Sequence, residues 1–474
     1  MGKDISGKMS LGYLKSLRSK YTFRMALKTS QPYNLITPSL KPHNLKEKIF
    51  MLRLILTTLL FIINGIAFAQ PSRSDSAVVS FLRDEFDVRF SDNNSVVFFK
   101  TGQEKFDDLF QAVRQAKHSI HLEYFNFRND SISSLLFDLL AEKAAEGVEV
   151  RALYDGFGNC SNDRPLKQYH LDSLHHRGIQ ILEFDRIGFP YVQNSFYRDH
   201  RKVVVIDGLI AYTGGMNVAD YYVVGKPEFG AWRDLHCRIE GDAVTELQKV
   251  FVDFWNEVTG ERLQGVKYYP GLRRAQDYFT GLKTDTTSTA GKQQVGVVNR
   301  IPRQTARIME QTFVKILDNA EHRVQLINPY FTLTPKVVRA FKRALKRGVK
   351  MEIMVSAASD IPVTPNVTEY HCNEFAKLGA DIYVFHGGFH HSKVMMVDDS
   401  FLFLGSANLN GRSLKIDYEC NVLIADSAAT KAMQTIFDTD KHTQCTRMTP
   451  EVYKQKPARR RFWNWLLHYS AWML

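Results

Sequence analysis

The strongest constraint in this sequence is an internal duplication. Phe106 to Lys117 (FDDLFQAVRQAK) has the apolar spacing of a helix and runs into the strand pattern Ser119 to Phe125. Phe313 to Ala320 (FVKILDNA) runs in the same way into Val324 to Tyr330. A second helix ends at Gly147 in the first copy and Gly348 in the second, leading into the apolar strands Val148 to Tyr154 and Val349 to Val355. A third ends at Gly178 and Gly379, before Ile179 to Phe184 and Ala380 to Phe385. Glycine closes a helix well because it takes positive φ without a Cβ penalty. Both glycine pairs are 201 residues apart, so the copies keep step over this stretch. Helices alternating with short apolar strands predict α/β layering in each copy, with a sheet covered by helices.

Each copy then carries the same constellation. The first is His200-Arg201-Lys202-Val203-Val204-Val205-Ile206-Asp207, followed by Gly214-Gly215-Met216-Asn217. The second is His391-Ser392-Lys393-Val394-Met395-Met396-Val397-Asp398, followed by Gly405-Ser406-Ala407-Asn408. One such set would be weak, because His, Lys and Asp are common. Two at matched places in a longer repeat are a strong signal.

Residues two apart on a strand share a face, so His200 and Lys202 are expected to project together, as are His391 and Lys393. Asp207 falls on the other face and, with Gly208, predicts a turn between Val203–Ile206 and Leu209–Thr213. The candidate catalytic set is His200, Lys202 and Asp207 with His391, Lys393 and Asp398. Within it, the two aspartates are expected to hold the hairpins rather than to react. The small residues of each Gly pair would let an anion approach the backbone, with Asn217, Asn408 and Ser406 as the expected phosphate-binding groups.

If the copies pack face to face, two imidazoles and two ammoniums converge on one cleft, a set that suits a phosphodiester. The ammoniums compensate the phosphoryl oxygens, one imidazole attacks phosphorus, and the other protonates the leaving alkoxide. No cofactor is expected, because the motifs lack the clustered carboxylates that Mg²⁺ or Ca²⁺ sites use.

With these motifs the sequence resembles the phospholipase D superfamily and, within it, the bacterial cardiolipin synthases. The likeness covers roughly residues 100–445 and includes His121-Leu122-Glu123-Tyr124, Asn328-Pro329-Tyr330-Phe331 and Trp232-Arg233-Asp234. It implies two α-β-α sandwich repeats packed about a pseudo-two-fold, with the active site between them. It also implies a phosphatidyl-histidine intermediate, formed on His200 with His391 as acid and base, although the symmetry leaves the reverse assignment open. Asp234 and Glu419 match the family's histidine-orienting carboxylates, each serving the histidine of the other copy. The implied reaction joins two phosphatidylglycerols into cardiolipin and releases glycerol. A hydrolytic phospholipase D releasing phosphatidic acid, a nuclease on the same scaffold and a non-catalytic lipid-binding protein are the alternatives. Relatives of this type usually begin with two membrane helices, where this chain has one hydrophobic segment.

Net charge does not favour nucleic acid. The formal charge is +12 and the pI about 9.3, but residues 1–50 alone hold eight Lys and two Arg against Asp4 and Glu47. Lys454, Lys456, Arg459, Arg460 and Arg461 supply five more cations, so the body from 70 to 453 is near −2. No nucleic-acid partner is therefore expected. The C-terminal cations stand beside Phe462-Trp463-Asn464-Trp465-Leu466-Leu467, a combination suited to a membrane surface.

Leu54 to Ile66 (LILTTLLFIINGI) follows Arg53 and ends in Ala67-Phe68-Ala69, the pattern of an export signal cleaved before Gln70. It is short for a membrane helix. The expected organisation makes 1–50 an upstream extension or cytosolic tail, with translation beginning at Met51, and 51–69 a signal peptide or single anchor. Residues 70–100 form a linker and the start of the fold, 101–265 and 301–445 are the two repeats, 266–300 is a linker, and 446–474 is the basic aromatic tail. Export would place the protein in the bacterial envelope, periplasmic or membrane-associated. Cys160, Cys237, Cys372, Cys420 and Cys445 are scattered and form no CxxC, so they read as plain thiols.

Overall fold

Val203 to Ile206 are all buried, and they alternate between two cores. Val204 and Ile206 pack with Ile120, Leu122 and Leu109, whereas Val203 and Val205 pack with Val96, Ile239 and Leu247. In the second copy Met395 and Val397 face one core, and Val394 and Met396 the other. Strands buried on both faces need helices on both. The outer faces are covered by helices Gly102–Gln115 and Ser131–Ala145 in the first copy and by Ile308–Asn319 and Pro335–Lys346 in the second. The opposite face carries Ala243–Thr259 and Ser427–Gln444, whose Leu247, Val250, Met433 and Phe437 share one core with strands of both copies.

The computed structural model describes residues 73–186, 196–270, 275 and 278–470. The expected extension and signal or anchor before Gln70 lie outside them. One 15-stranded sheet runs through both copies. From one edge its order is Cys445–Met448, Asp381–Phe385, Lys350–Ser356, Arg323–Ile327, Val394–Val397, Phe401–Gly405, Glu419–Ala425 and Gln293–Arg300. It continues with Phe90–Phe99, His236–Glu240, Ile210–Gly214, Val203–Ile206, Ser119–Tyr124, Glu149–Asp155 and Ile179–Phe184. Apart from Cys445–Met448, the second half reverses the first, strand for strand. In each copy three strands run parallel and the motif strand pairs antiparallel to the first of them.

The middle of this sheet corrects the expected boundaries. Gln293–Arg300, placed by sequence in a linker, pairs antiparallel at the centre with Phe90–Phe99, from the segment expected to hold the linker and the start of the fold. Gly296 makes the pairing possible, because a Cβ there would lie 2.4 Å from the Phe90 ring.

The motif aspartates close the hairpins. Asp207 and Gly208 have φ of 54° and 64°, and Asp398 and Asp399 have 49° and 56°, the left-handed pair of a type I′ turn. Asp207 also accepts the backbone N–H groups of Lys117, His118 and Ser119 at 2.8, 2.7 and 2.9 Å. Asp398 does the same for Glu321, His322 and Arg323, at 2.8, 2.7 and 2.8 Å. Each carboxylate thus ties the preceding helix–strand junction to the hairpin, at the far end of the motif strand from its histidine. Although part of the candidate catalytic set, the aspartates belong to the scaffold.

The C-terminal helix Ala458–Leu467 docks on helix Thr364–Lys377 through polar groups. Asn464 is fully buried; its amide donates to Glu369 at 2.9 Å and accepts from Asn366 at 2.8 Å. Arg460 and Lys456 pair with the same Glu369. Phe462, Trp463, Trp465, Leu466 and Tyr469 remain 40–61% exposed. Among the described residues no helix is long and apolar enough to cross a membrane. All five cysteines are free; Cys160 is exposed, Cys445 half-buried and the rest buried.

Candidate active site

His200 and Lys202 stand just ahead of the strand rather than on it, as do His391 and Lys393. Each pair still works as a unit, because the lysine turns back on its own histidine. Lys202 Nζ donates to the carbonyl of His200 at 2.6 Å, and Lys393 Nζ donates to that of His391. Lys393 Nζ also lies 2.9 Å from His391 Nδ1.

The carboxylates come from the opposite copy. His200 Nδ1 is 3.0 and 3.2 Å from the two oxygens of Glu419, and His391 Nδ1 is 2.7 Å from Asp234 Oδ2. An ionised carboxylate only accepts, so Nδ1 carries a proton in each ring; His200 then keeps a lone pair on Nε2 for attack, whereas His391 can act as an acid only with a second proton on its Nε2. The backbone reinforces both contacts. His200 N donates to Tyr418 O at 3.0 Å, and His391 N to Arg233 O at 2.6 Å, each just before a carboxylate residue. Phe389-His390 and Trp232-Arg233 pair as a small parallel sheet across the same seam.

Matched positions after the motifs serve these carboxylates by different means. Ser406 Oγ donates to Glu419 and accepts the N–H of Cys420 at 3.0 Å. Its hydroxyl, an expected phosphate ligand, is thus committed to holding Glu419. At the corresponding Gly215 a Cβ would lie 2.2 Å from Asp234 Oδ1, so the missing side chain is the room that Asp234 occupies. Asn217 and Asn408 are buried, with Oδ1 atoms that have no partner among the described residues. The amide nitrogen of Asn217 donates to Tyr222 Oη at 3.4 Å.

Burial shapes the electrostatics. It lowers the lysine pKa values, to about 7 for Lys202 and about 8 for Lys393, and each charge acts against its counterpart's histidine or lysine. His200 is lowered by burial and by Lys202 against the pull of Glu419; His391 is pushed well below its ordinary value by burial and Lys393. Burial raises Asp234 to about 6 against Lys393. In Glu419 burial also works upward, but His200, Lys202 and Ser406 outweigh it and the net shift is down. The two His-Lys pairs therefore lie close enough for each to feel the other's charge. The aromatic walls of the site are Phe125 on His200 and Trp232, Tyr330 and Phe389 around His391.

Further groups escape the motifs. Lys105 is fully buried, with Nζ 3.2 Å from Asn217 O; burial pushes its pKa well down, against the opposing pull of Asp234. The available signal was a lysine next to Phe106 on an amphipathic helix. Arg201, between the motif residues, is buried; it pairs with Glu123 at 2.9 Å and lies over Phe254 and the cross-copy Tyr418. That pairing accounts for the glutamate in His121-Leu122-Glu123-Tyr124. Among the described residues no group of three or more His, Cys, Asp or Glu is arranged to hold a metal ion.

Two histidines, each oriented by the other half's carboxylate and backed by a buried lysine on a duplicated sheet, define a phospholipase D-like site. The comparisons agree. A family profile described as "Cardiolipin synthase, PLD-like domain" matches residues 109–255 and 313–441. The cardiolipin synthase of Oceanobacillus iheyensis is 32% identical over 400 residues, covering 84% of this chain and 79% of that protein. The major cardiolipin synthase ClsA of Bacillus subtilis is 31% identical, covering 78% of this chain and 73% of its own. The crystal structure of phosphatidylserine synthase from Haemophilus influenzae Rd KW20 shares the fold, with a TM-score of 0.63 at 14% identity over 85% of this chain and all of that one. The chain belongs to the cardiolipin synthase family of phospholipase D-like proteins, and is a phospholipid phosphatidyltransferase.

Proposed function

We propose that the enzyme joins two phosphatidylglycerols into cardiolipin and glycerol through a phosphatidyl-histidine intermediate. His200 Nε2 attacks phosphorus, the phosphorus–oxygen bond to the first glycerol breaks, and His391, entering the step protonated on both nitrogens, gives that oxygen its Nε2 proton. A hydroxyl of the second phosphatidylglycerol then returns a proton to His391. Its oxygen bonds to phosphorus as the bond to His200 breaks. Lys202 and Lys393 compensate the phosphoryl oxygens, with Asn217 and Asn408 beside them. The observation that carries this is the crossed pairing of His200 with Glu419 and of His391 with Asp234, which leaves each Nε2 for chemistry.

The proposed setting is a membrane surface on the bacterial envelope, reached by export through the segment before Gln70. Support comes from the C-terminal helix, which buries Asn464 and turns its aromatic residues outward, the reverse of an ordinary surface helix.

The test is to incubate the purified chain with phosphatidylglycerol vesicles and, separately, with single-stranded DNA, and to resolve the products. Cardiolipin plus glycerol is expected. Phosphatidic acid alone would replace synthesis with hydrolysis, and DNA cleavage without lipid turnover would make the enzyme a nuclease.

A further inference from the structure

The two sides of the site also differ in the aromatic ring that meets each histidine. An aromatic ring meets each histidine edge-on: Phe125 meets His200 with centroids 5.1 Å apart, and Tyr330 meets His391 at 5.8 Å. The hydroxyl that distinguishes Tyr330 donates to Asp360 Oδ1 at 2.5 Å. Tyr330 is buried, whereas Asp360 is exposed in the loop between strand Lys350–Ser356 and helix Thr364–Lys377. In the first copy the matching strand, Glu149–Asp155, runs directly into a short helix, Gly156–Cys160. Its polar Asn159 is turned inward, bonded to the backbone of Leu166 at 2.8 and 2.9 Å. Among the described residues, an exposed carboxylate held by the aromatic beside the histidine thus occurs only on the His391 side. The charge of Asp360 also acts to raise the basicity of His391 and Lys393.

Displacement at phosphorus puts the attacking and leaving groups roughly in line, on opposite sides. With His200 attacking, the alcohol leaves toward His391, and the next alcohol enters from there. We infer that Asp360, braced by Tyr330, binds the hydroxyl groups of the glycerol headgroup as it leaves and as its replacement arrives. This rests on the proposed roles of His200 and His391. One oxygen of Asp360 takes the tyrosine hydroxyl, and the remaining lone pairs can accept from a polyol. A polyol can anchor one hydroxyl on the carboxylate while another attacks, whereas water or a monohydric alcohol cannot do both. The site would thereby favour transfer over hydrolysis without excluding water.

The experiment uses the full chain with phosphatidyl-p-nitrophenol in mixed micelles and either glycerol or ethanol as acceptor. The readouts are the half-saturating acceptor concentration and the ratio of transfer product to phosphatidic acid. Both products come from one intermediate, so a general loss of activity cancels in the ratio. Asp360→Ala is expected to raise half-saturating glycerol by about 10-fold or more and to remove the preference for glycerol over ethanol. Asp360→Asn, which keeps one acceptor oxygen, should fall between it and the wild type. Tyr330→Phe should shift the ratio in the same direction by less, and it supplies the answer if the first variant does not fold. An unchanged ratio and glycerol requirement in Asp360→Ala would overturn the subsite. A wild-type enzyme that releases p-nitrophenol but transfers to no alcohol would instead sink the transferase proposal, and the subsite with it.

Discussion

Glu419 Oε1 sits 3.0 Å from Nδ1 of His200, although the two residues are 219 positions apart and belong to different copies of the repeat. His391 and Asp234 form the reciprocal pair at 2.7 Å, 157 positions apart. Neither copy alone can orient its own histidine, so two repeats make one active site. Glu419→Gln and Asp234→Asn should each lower kcat by about 10²- to 10⁴-fold with a smaller change in KM, because an amide can stabilise the wrong tautomer. Steady-state rates within threefold of wild type would remove the orienting role.

His200→Ala should abolish turnover and covalent labelling together. After acid-free quenching, a radiolabelled phosphatidyl donor should remain on the wild-type chain and be absent from this variant. Label that survives on the variant would move the nucleophile to His391.

Gly215→Ala puts a methyl group where Asp234 now lies, at 2.2 Å from its oxygen. Displacing a carboxylate by even about 1 Å can cost on the order of 10²-fold in rate. A loss of that size is expected in kcat, whereas Ser406→Ala, which removes one hydrogen bond to Glu419, should cost about 10-fold. Full activity in Gly215→Ala would mean that the asserted tight fit does not constrain the site.

Asp207→Ala leaves three backbone N–H groups without their acceptor. Each unsatisfied group costs about 1–3 kcal/mol, so the total is on the order of 3–5 kcal/mol after partial hydration. Denaturant midpoints should drop accordingly, while the folded fraction, assayed in the cold, keeps its kcat. A selective loss of kcat would return this aspartate to the reacting set.

Lys202 and Lys393, at about 7 and about 8 in the free site, should regain protons when an anion binds. The bound form then holds more protons than the free form, so affinity for sulfate, whose own charge is constant in this range, should fall as pH rises through 7–8 and level off below it. Titration calorimetry at pH 8 in buffers of different ionisation enthalpy should report net proton uptake. Identical heats in every buffer would contradict the depressed lysines.

Truncation after Pro457 should weaken flotation with phosphatidylglycerol vesicles by about 10-fold or more, through the lost aromatic insertion. Trp463→Ala with Trp465→Ala should do much of the same without removing Asn464, the buried anchor to Glu369. Vesicle binding by the truncated chain equal to that of the full chain would dismiss the helix as a membrane contact.

Much of this architecture is legible in sequence because it repeats. The strands at Ile179–Phe184 and Ser119–Tyr124 fall where the apolar runs put them, and the paired Asp turns fall where positive φ is needed. The central strands were harder to see. Phe90–Phe99 begins with the polar run Ser91 to Ser95, and Gln293–Arg300 has no duplicated motif beside it. The service of Ser406 to Glu419, the room left by Gly215, and the Tyr330–Asp360 pair have no local signature, since each depends on which distant side chain arrives.

The amino-acid sequence by itself determined the duplicated α/β order, the two His-Lys pairs and the turns that end their strands, because those follow from periodicity and local backbone preference. The exchange of carboxylates between the copies was implied by the family likeness rather than by any local pattern, and only the tertiary structure decided which backbone amides the motif aspartates hold, that Ser406 serves Glu419, and that Tyr330 braces Asp360 on one side. Hydrogen bonds and burial act through space, and residues 150 to 220 positions apart become neighbours only when the two halves of the sheet close against each other.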